Sequence, residues 1–496
     1  MLPDVLKNTV SSRCRQYLFL LLLTVAALFV HGYHPAAEDA EIYIPGIKKL
    51  LYPALYPFGT EFFLNHARLT LFDELIAASV RLSHLSFDLT IFLWYAASIF
   101  LTLLACWRLS GECFTEQDAR RGGVVLVAAL LTLPVAGTSL YIADQYLTSR
   151  SIATFALLFA VWNAWKERHA AWIAWSVAAL CIHPLMGVFG ISYALLLLLM
   201  KRRESTVAKM LPSFPLAIPL TGLMTVSSDA YRVAVRTRSY FFILQWQWYE
   251  WAGIFAPLVL LWLFSRISRK NKLPAADIMS RSLIVYSLFY FVAAMVLTIP
   301  ERFQTLVRFQ PMRSLHLLYI LLFLLGGGLL GKCVLKRYAW RWIVLFLPVC
   351  GVMYFVQRQL FPTSPHIEWP GVAQANDWLQ AFDWIRRNTP IDALFAINPN
   401  YMEMDDQHGF RAMAERSRLA DAIKDSGAVT MFPDLPSAEH WLEQTRAQRG
   451  WEHFQKADFL RLNQIYGVSW IVIERSATIT LDCPYKNPTL RVCRVN

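Results

Sequence analysis

"AAEDAEIYIPGIKK", Ala36–Lys49, follows within a few residues of the apolar run "YLFLLLLTVAALFV", Tyr17–Val30. Three carboxylates, Glu38, Asp39 and Glu41, stand where a greasy segment gives way to polar chain. If the first segment crosses a membrane, these acids sit at its exit. If it is a core helix, they belong to an ordinary solvated loop. The rest of the chain decides between the two.

The 496 residues are 56% hydrophobic and 14% aromatic, above the roughly 45–50% apolar content of a soluble domain. The excess falls in blocks of roughly 15–20 residues, the length that crosses a hydrocarbon layer about 30 Å thick. Eleven apolar segments are read, at 17–33, 90–107, 123–136, 151–165, 171–183, 186–200, 210–226, 252–265, 283–299, 314–331 and 340–357. A net charge of +12 raises the question of nucleic acid. The basic residues are dispersed between apolar spans and form no single patch, so nucleic acid is excluded as a partner. Lys and Arg concentrate instead in alternate loops: Arg108, Arg120 and Arg121; Lys201, Arg202 and Arg203; Arg266, Arg269 and Lys270; Lys332, Lys336 and Arg337. By the positive-inside rule this predicts an N-terminus inside and a C-terminus outside. The basic start and "HPAA" also resemble a signal peptide. Removing it would upset the charge parity of every later loop, so the first segment is read as a retained span.

Residues 171–200 would make a helix about 45 Å long if unbroken. His183-Pro184 near the middle breaks it, and basic flanks on both sides favour a hairpin of two short spans. Between the first two spans, residues 34–89 are too polar for a simple loop. "LFDELIAASVRL" places Phe72, Leu75, Ile76 and Val80 at helical spacing, with Asp73, Glu74 and Arg81 elsewhere on the wheel. This predicts an amphipathic helix on the membrane surface.

The apolar runs end near residue 358. The chain divides into a membrane domain, 1–358, and an α/β domain, 359–496, on the outer side. "AQANDWLQAFDWIRRNTP" reads as a helix stopped before Pro390, "ALFAI" and "AVTMF" as strands, and "RSRLADAIKDSG" as a helix stopped at Gly427. "SAEHWLEQTRAQRG" reads as a helix with Ser437 as N-cap, and "VSWIVIE" and "LRVCRV" as strands. Cys483 and Cys493 flank "PYKNPTLRV" there and are either a disulfide or two free thiols. No Walker, Rossmann or zinc-ligand spacing is present.

Four polar features map to the predicted outer face. The acids come first; on a helix Glu38 and Glu41 share a side. "YIADQYLTSR" then offers Asp144, Gln145, Tyr146 and Arg150, the last at a helix start where N–H groups favour anions. His183 lies at the turn of the broken hairpin. "RFQTLVRFQPMRSLHL" brings Arg308 and Arg313 beside Gln310, with Arg313 at the mouth of a span. A guanidinium fork suits phosphate, and a carboxylate can take the proton of an acceptor hydroxyl. Taken singly, each has a plainer reading: a solvated acidic loop, an interfacial belt of Tyr with a snorkelling Arg, a His satisfied inside a bundle, and ordinary flanking charge.

An acidic pair after an N-inside first span, a long first outer loop, about eleven spans with short broken ones, and an outer C-terminal domain resemble the GT-C superfamily. These are integral-membrane glycosyltransferases that use lipid-phosphate-linked sugars. "EDAEIY…YPALYP", "YLTSRSIAT", "HPLMG" and "QPMRSLHLLY" are also similar to a bacterial membrane-protein family of this build. The resemblance implies Asp39, or Glu38, as catalytic base with Glu41 as supporting acid. Location and chemistry, rather than a fixed motif of the superfamily, make Arg150, His183 and Arg313 candidates for the donor phosphate, with Tyr146, Asp144 and Arg308 as further candidates. The resemblance implies a polyprenyl-phosphate-linked sugar as donor substrate, membrane lipid as surroundings and a bacterial inner membrane with the C-terminal domain in the periplasm. It leaves metal dependence open, although three acids could hold a divalent ion together with waters. Two other classes remain: a transporter or lipid-handling protein, and an inactive assembly partner built on the same frame.

Overall fold

The computed structural model describes residues 4–204, 227–299, 303–373, 375–403, 406 and 408–495. The expected segment 210–226 lies outside the described residues. The first part of the chain is helical. α1 (Asp4–His31) is followed by three short helices, α2 (Ala40–Leu51), α3 (Glu61–Ala67) and α4 (Phe72–Ser83). The bundle then runs through α5 (Phe87–Cys113), α6 (Gln117–Ala129), α7 (Ser149–Trp165), α8 (His169–Ile182) and α9 (Pro184–Glu204). After α10 (Asp229–Arg236) come α11 (Trp248–Lys270), α12 (Pro274–Thr298), α13 (Leu315–Leu330) and α14 (Ala339–Leu360).

Among the described residues, seven helical runs are long and apolar enough to cross a membrane: Arg13–His31, Phe87–Cys113, Pro184–Arg202, Trp248–Lys270, Pro274–Thr298, Val307–Leu335 and Ala339–Leu360. The architecture is that of a multi-pass membrane protein. The expected spans at 123–136, 151–165 and 171–183 are helices, but shorter ones. α6, α7 and α8 have 13, 17 and 14 residues, roughly 20–25 Å at 1.5 Å per residue. α7 is buried along nearly its whole length, which suits a short helix enclosed by others rather than facing lipid. The break at His183 is real: α8 ends there and α9 begins at Pro184. The two helices meet so tightly that a Cβ on Gly187 would lie 2.9 Å from the backbone of Leu180.

α6 packs on α13 through glycines. A Cβ on Gly122 would fall 2.3 Å from the carbonyl oxygen of Gly327, and one on Gly331 would fall 2.3 Å from that of Asp118. Small residues let backbones approach in the absence of a hydrophobic drive between helices.

Of its predicted stripe α4 buries Phe72 and Ile76 and leaves Leu75 and Val80 half-buried; Ala77 is buried too, and so, against expectation, is Asp73. A single polar side chain next to the apolar stripe follows its neighbours into the interface with α2. Gly46 leaves the space for it, since a Cβ there would lie 2.0 Å from Asp73 Oδ2.

Beyond α14 comes a small sheet domain. It contains α15 (Asp377–Asn388), β1 (Leu394–Ile397), α16 (Phe410–Ala414), β2 (Ser417–Arg418), α17 (Lys424–Val429), α18 (Ser437–Ala447), α19 (Lys456–Tyr466), β3 (Trp470–Glu474), β4 (Tyr485–Lys486) and β5 (Leu490–Arg494). The sheet order is β2-β1-β3-β5-β4. β1 pairs in parallel with β2 and β3, and β5 runs antiparallel to β3 and β4. Alternation along the strands sends Phe395, Ile397, Trp470 and Val472 toward α15. Leu394, Ala396, Ile471 and Ile473 face α19. Cys483 and Cys493 are joined as a disulfide.

Two expectations fail in this domain. "RSRLADAIKDSG" is not one helix, and "AVTMF" is not a strand. The first splits into β2, a loop and α17, and Ala428-Val429 complete α17. Asp421 accounts for the split: its Oδ1 accepts from the backbone N–H of Ile423, Lys424 and Asp425 at 2.7, 2.5 and 3.1 Å. A short acidic side chain that bonds nearby backbone starts a new turn rather than continuing an old one. α18 begins at Ser437, with Pro436 rather than Ser437 in the capping position.

Candidate active site

The sheet domain closes on the far end of α1. Tyr33 forms a parallel bridge with Ile367, and Ala37 an antiparallel bridge with His408. Glu38 adopts a left-handed backbone, φ 54°, and turns the chain into α2. Asp39 then occupies the N-cap position of that helix, where the helix end favours a negative charge.

Three basic side chains converge on this point. Arg150 sits in the first turn of α7, which is opened by a capping box between Thr148 and Ser151. Its Nη1 lies 3.4 Å from Asp39 Oδ2, and its Nη2 lies 2.8 Å from Asp144 Oδ2. Lys424, the first residue of α17, reaches Asp39 Oδ1 at 3.3 Å and pairs with Glu38. Arg313 comes from the 3₁₀ turn before α13 and rests over the Tyr240 ring, 5.5 Å from its centroid. Among the described residues Arg313 makes no ion pair, and its Nε has no hydrogen-bond partner.

Asp39, Arg150, His183 and Arg313 line one cavity, together with Tyr43, His66, Arg238, Tyr240, Gln310 and Lys424. The Asp39 side chain keeps 34% of its exposure there. Burial works against its ionisation. The charges of Lys424, Arg150 and Arg313 outweigh burial and hold its carboxyl below the usual carboxylate range. Arg238 donates to Ser426 Oγ and, like Arg313, lacks an acidic partner among the described residues. Among the described residues, the cavity lining therefore holds more positive charge than its one carboxylate, Asp39, offsets, and it suits an anion.

The other predicted residues lie around this cavity or away from it. The Tyr146 hydroxyl accepts the backbone N–H of Asp39 at 3.3 Å and is buried behind it. Asp144 holds Arg150 from the side of a second cavity, lined by Tyr95, Ser98, Thr154 and His316. Arg308 donates to the Met431 carbonyl at 3.3 Å and braces the sheet domain instead.

Glu41 turns away entirely. Its Oε1 accepts from Arg418 Nε at 2.9 Å and Arg411 Nη1 at 3.4 Å, and its Oε2 accepts the Ala412 N–H at 3.2 Å. Arg411 in turn grips Asp425 through two bonds of 2.9 Å, and Arg418 pairs with Asp421. All of these groups are buried. The expected supporting acid is thus part of an ion network that fixes the loop before Lys424.

The three acids do not converge as metal ligands. Glu41 is spent on two arginines, Glu38 on Lys424, and Asp39 stands between two cations. A divalent ion placed there would meet the field of Arg150, Arg313 and Lys424 without a second free carboxylate among the described residues, so these three acids do not fit one.

Lys424, Arg238 and His66, with the aromatic residues Tyr43 and Tyr240, are members that sequence reading missed. Lys424 stands 385 residues from Asp39, and no local spacing joins them.

A family model described as a domain of unknown function, DUF6798, matches residues 376–425. That segment carries Arg411, Arg418, Asp421, Lys424 and Asp425. No curated protein matches the chain. Among solved structures the chain is similar to the archaeal oligosaccharyltransferase AglB from Archaeoglobus fulgidus, in complex with an inhibitory peptide and a dolichol-phosphate. The identity is 12% and the TM-score 0.46, over 93% of this chain and 70% of that one. It is also similar to the oligosaccharyltransferase of the same organism tethered to an acceptor peptide by a disulfide bond, at 13% identity and a TM-score of 0.44, over 92% and 69%. Likeness of that degree does not establish a shared fold, and the chemistry here rests on the side chains themselves.

Proposed function

We propose that the protein is a glycosyltransferase of GT-C type, moving a sugar from a polyprenyl-phosphate-linked donor to an acceptor at the outer face of a bacterial inner membrane. The observation that carries this reading is the pairing, in one cavity, of a carboxylate with guanidinium groups that have no acidic partner among the described residues. In this mechanism Arg313 and Arg238 bind the donor phosphate. An acceptor hydroxyl oxygen attacks the anomeric carbon of the sugar. The bond from that carbon to the phosphate oxygen breaks, and the lipid phosphate leaves with the electron pair. The hydroxyl proton passes to Asp39, while the arginines and His183 stabilise the departing charge.

A carboxylate held in so positive a field is a weak base. Binding of the donor anion corrects this, because the phosphate draws on the same cations and returns proton affinity to Asp39. The base is thus armed by the substrate. An inactive partner needs no such convergence. For a transporter the acids would have to lie at mid-depth, whereas Asp39 stands beyond the last residue of α1.

The test is transfer from a labelled polyprenyl-phosphate sugar in lipid nanodiscs. D39N is expected to abolish transfer without altering the melting temperature, and R313A to weaken donor binding tenfold or more. Full activity in D39N would refute the assignment of the base.

A further inference from the structure

A second cluster lies apart from this cavity, on the other side of Ala36, Ala37 and Phe361. His34 comes from the chain just past α1, Glu368 from the segment after α14, and His408 from the residues before α16. Backbone bonds hold the three segments side by side. Tyr33 N–H donates to the His366 carbonyl at 3.0 Å, Glu368 N–H to that of Tyr33 at 2.9 Å, and Gly409 N–H to that of Ala36 at 2.8 Å. All three side chains are buried, with exposures of 0, 3 and 2%. His34 Nδ1 and His408 Nε2 each lie 2.7 Å from Glu368 Oε1. One donor atom from each residue falls within 4.8 Å of the other two.

The tautomer of His408 narrows what can hold this contact. Its Nδ1 lies 2.8 Å from the Asp406 carbonyl oxygen, which can only accept, so the ring hydrogen is on Nδ1. Asp406 is itself held, its carboxylate accepting the N–H of Thr363 at 3.0 Å and of Ser364 at 3.1 Å. In the neutral ring Nε2 is then a bare lone pair, aimed at a carboxylate oxygen that also has only lone pairs. Two such atoms do not rest 2.7 Å apart unless a second proton or a metal ion lies between them. A histidine that gives its other N–H to a backbone carbonyl is the usual arrangement behind a metal ligand.

We propose that His34, Glu368 and His408 bind a divalent transition-metal ion of the zinc class. Two imidazole nitrogens and one carboxylate oxygen make a borderline donor set, suited to zinc rather than to calcium or magnesium. Ligands at about 2.0–2.1 Å on one ion stand roughly 3.3 Å apart, so the side chains open by about half an ångström on loading. Glu368 also borders a groove lined by Tyr33, Lys48, Trp369 and Arg386. The ion joins the exit of the first span to two separate segments of the chain, five residues before Asp39. Its role is that of a clip, and it is independent of the chemistry proposed for the cavity.

Full-length protein in detergent, purified on a tag without histidine, is expected to contain one equivalent of zinc by mass spectrometry, or to take it up from zinc chloride alone. Chelation is expected to lower the melting temperature, and zinc to restore it. E368Q and H408Q are expected to lose the ion. Should those variants not fold, cobalt loaded into the wild-type chain decides. A chelator-sensitive ligand-field band supports the site, and its absence overturns it. The proposal also fails if zinc neither copurifies nor shifts the melting temperature, or if folded E368Q and H408Q keep the ion. It fails equally if the metal-free protein simply loses stability with rising pH and ignores zinc, for then a proton holds the cluster.

Discussion

At the scale of the residue, three neighbouring acids take three different fates. Asp39 faces a cavity, Glu38 meets a lysine at its rim, and Glu41 is sealed among arginines. The backbone decides this. The left-handed turn at Glu38 and the start of α2 point Asp39 and Glu41 to different sides. Glu41 faces two buried guanidiniums, so E41Q leaves charge uncompensated in a dry interior. A loss of about 3–5 kcal/mol in unfolding free energy is expected, readable as a lowered denaturation midpoint. An unchanged midpoint would show that the network is slack. Lys424 should matter differently. K424M removes one of the charges that depress Asp39, so the acid limb of the transfer–pH profile is expected to move upward. Asp39, Arg150, His183 and Arg313 were legible in the sequence because each flanks an apolar segment and topology alone sends them to one face. Lys424 and Arg238 were not, since contacts across hundreds of residues leave no periodic trace. The His34–Glu368–His408 cluster escaped for the same reason: zinc patterns are recognised by short spacing, and this one has none.

At the scale of the element, apolar runs located the long helices well, because lipid imposes both length and composition on them. α6, α7 and α8 carry the same composition at lesser length, and composition alone does not distinguish a span from an enclosed helix. α4 shows a finer limit. Its apolar stripe was legible, but the burial of Asp73 depends on Gly46 of another helix. Neither carboxylate oxygen of Asp73 has a hydrogen-bond partner among the described residues. Burial, aided by the neighbouring charge of Glu74, raises its pKa to about 8. The folded chain therefore holds a proton that the unfolded chain releases near the ordinary value of 3.8. Stability is full below that value, falls as pH rises toward 8, and levels off beyond. D73N lacks this dependence. Its melting temperature is expected to exceed that of the wild type most at pH 8 and to converge with it near pH 4. Parallel curves for the two proteins would place the proton elsewhere.

At the scale of the whole molecule, the helical part and the sheet domain are joined by buried charge rather than by a linker alone. Glu41 meets Arg411 and Arg418, Lys48 meets Glu415 at 2.7 Å, and Tyr56 donates to the Arg411 carbonyl at 2.9 Å. Elements so coupled should melt together. Calorimetry is expected to show one transition for the sheet domain and helices α2–α4, and E41Q to split it in two. Two transitions in the wild type would mean that the joint is weak.

The ion pair between Asp39 and Lys424 also has a consequence in time. During synthesis the carboxylate emerges 385 residues before the lysine. A chain halted partway displays Asp39 and Arg150 in its membrane portion with no α17 to cover them. The pair forms only once α17 has been made and has docked, and a partial product holds its acid without the partner that tunes it.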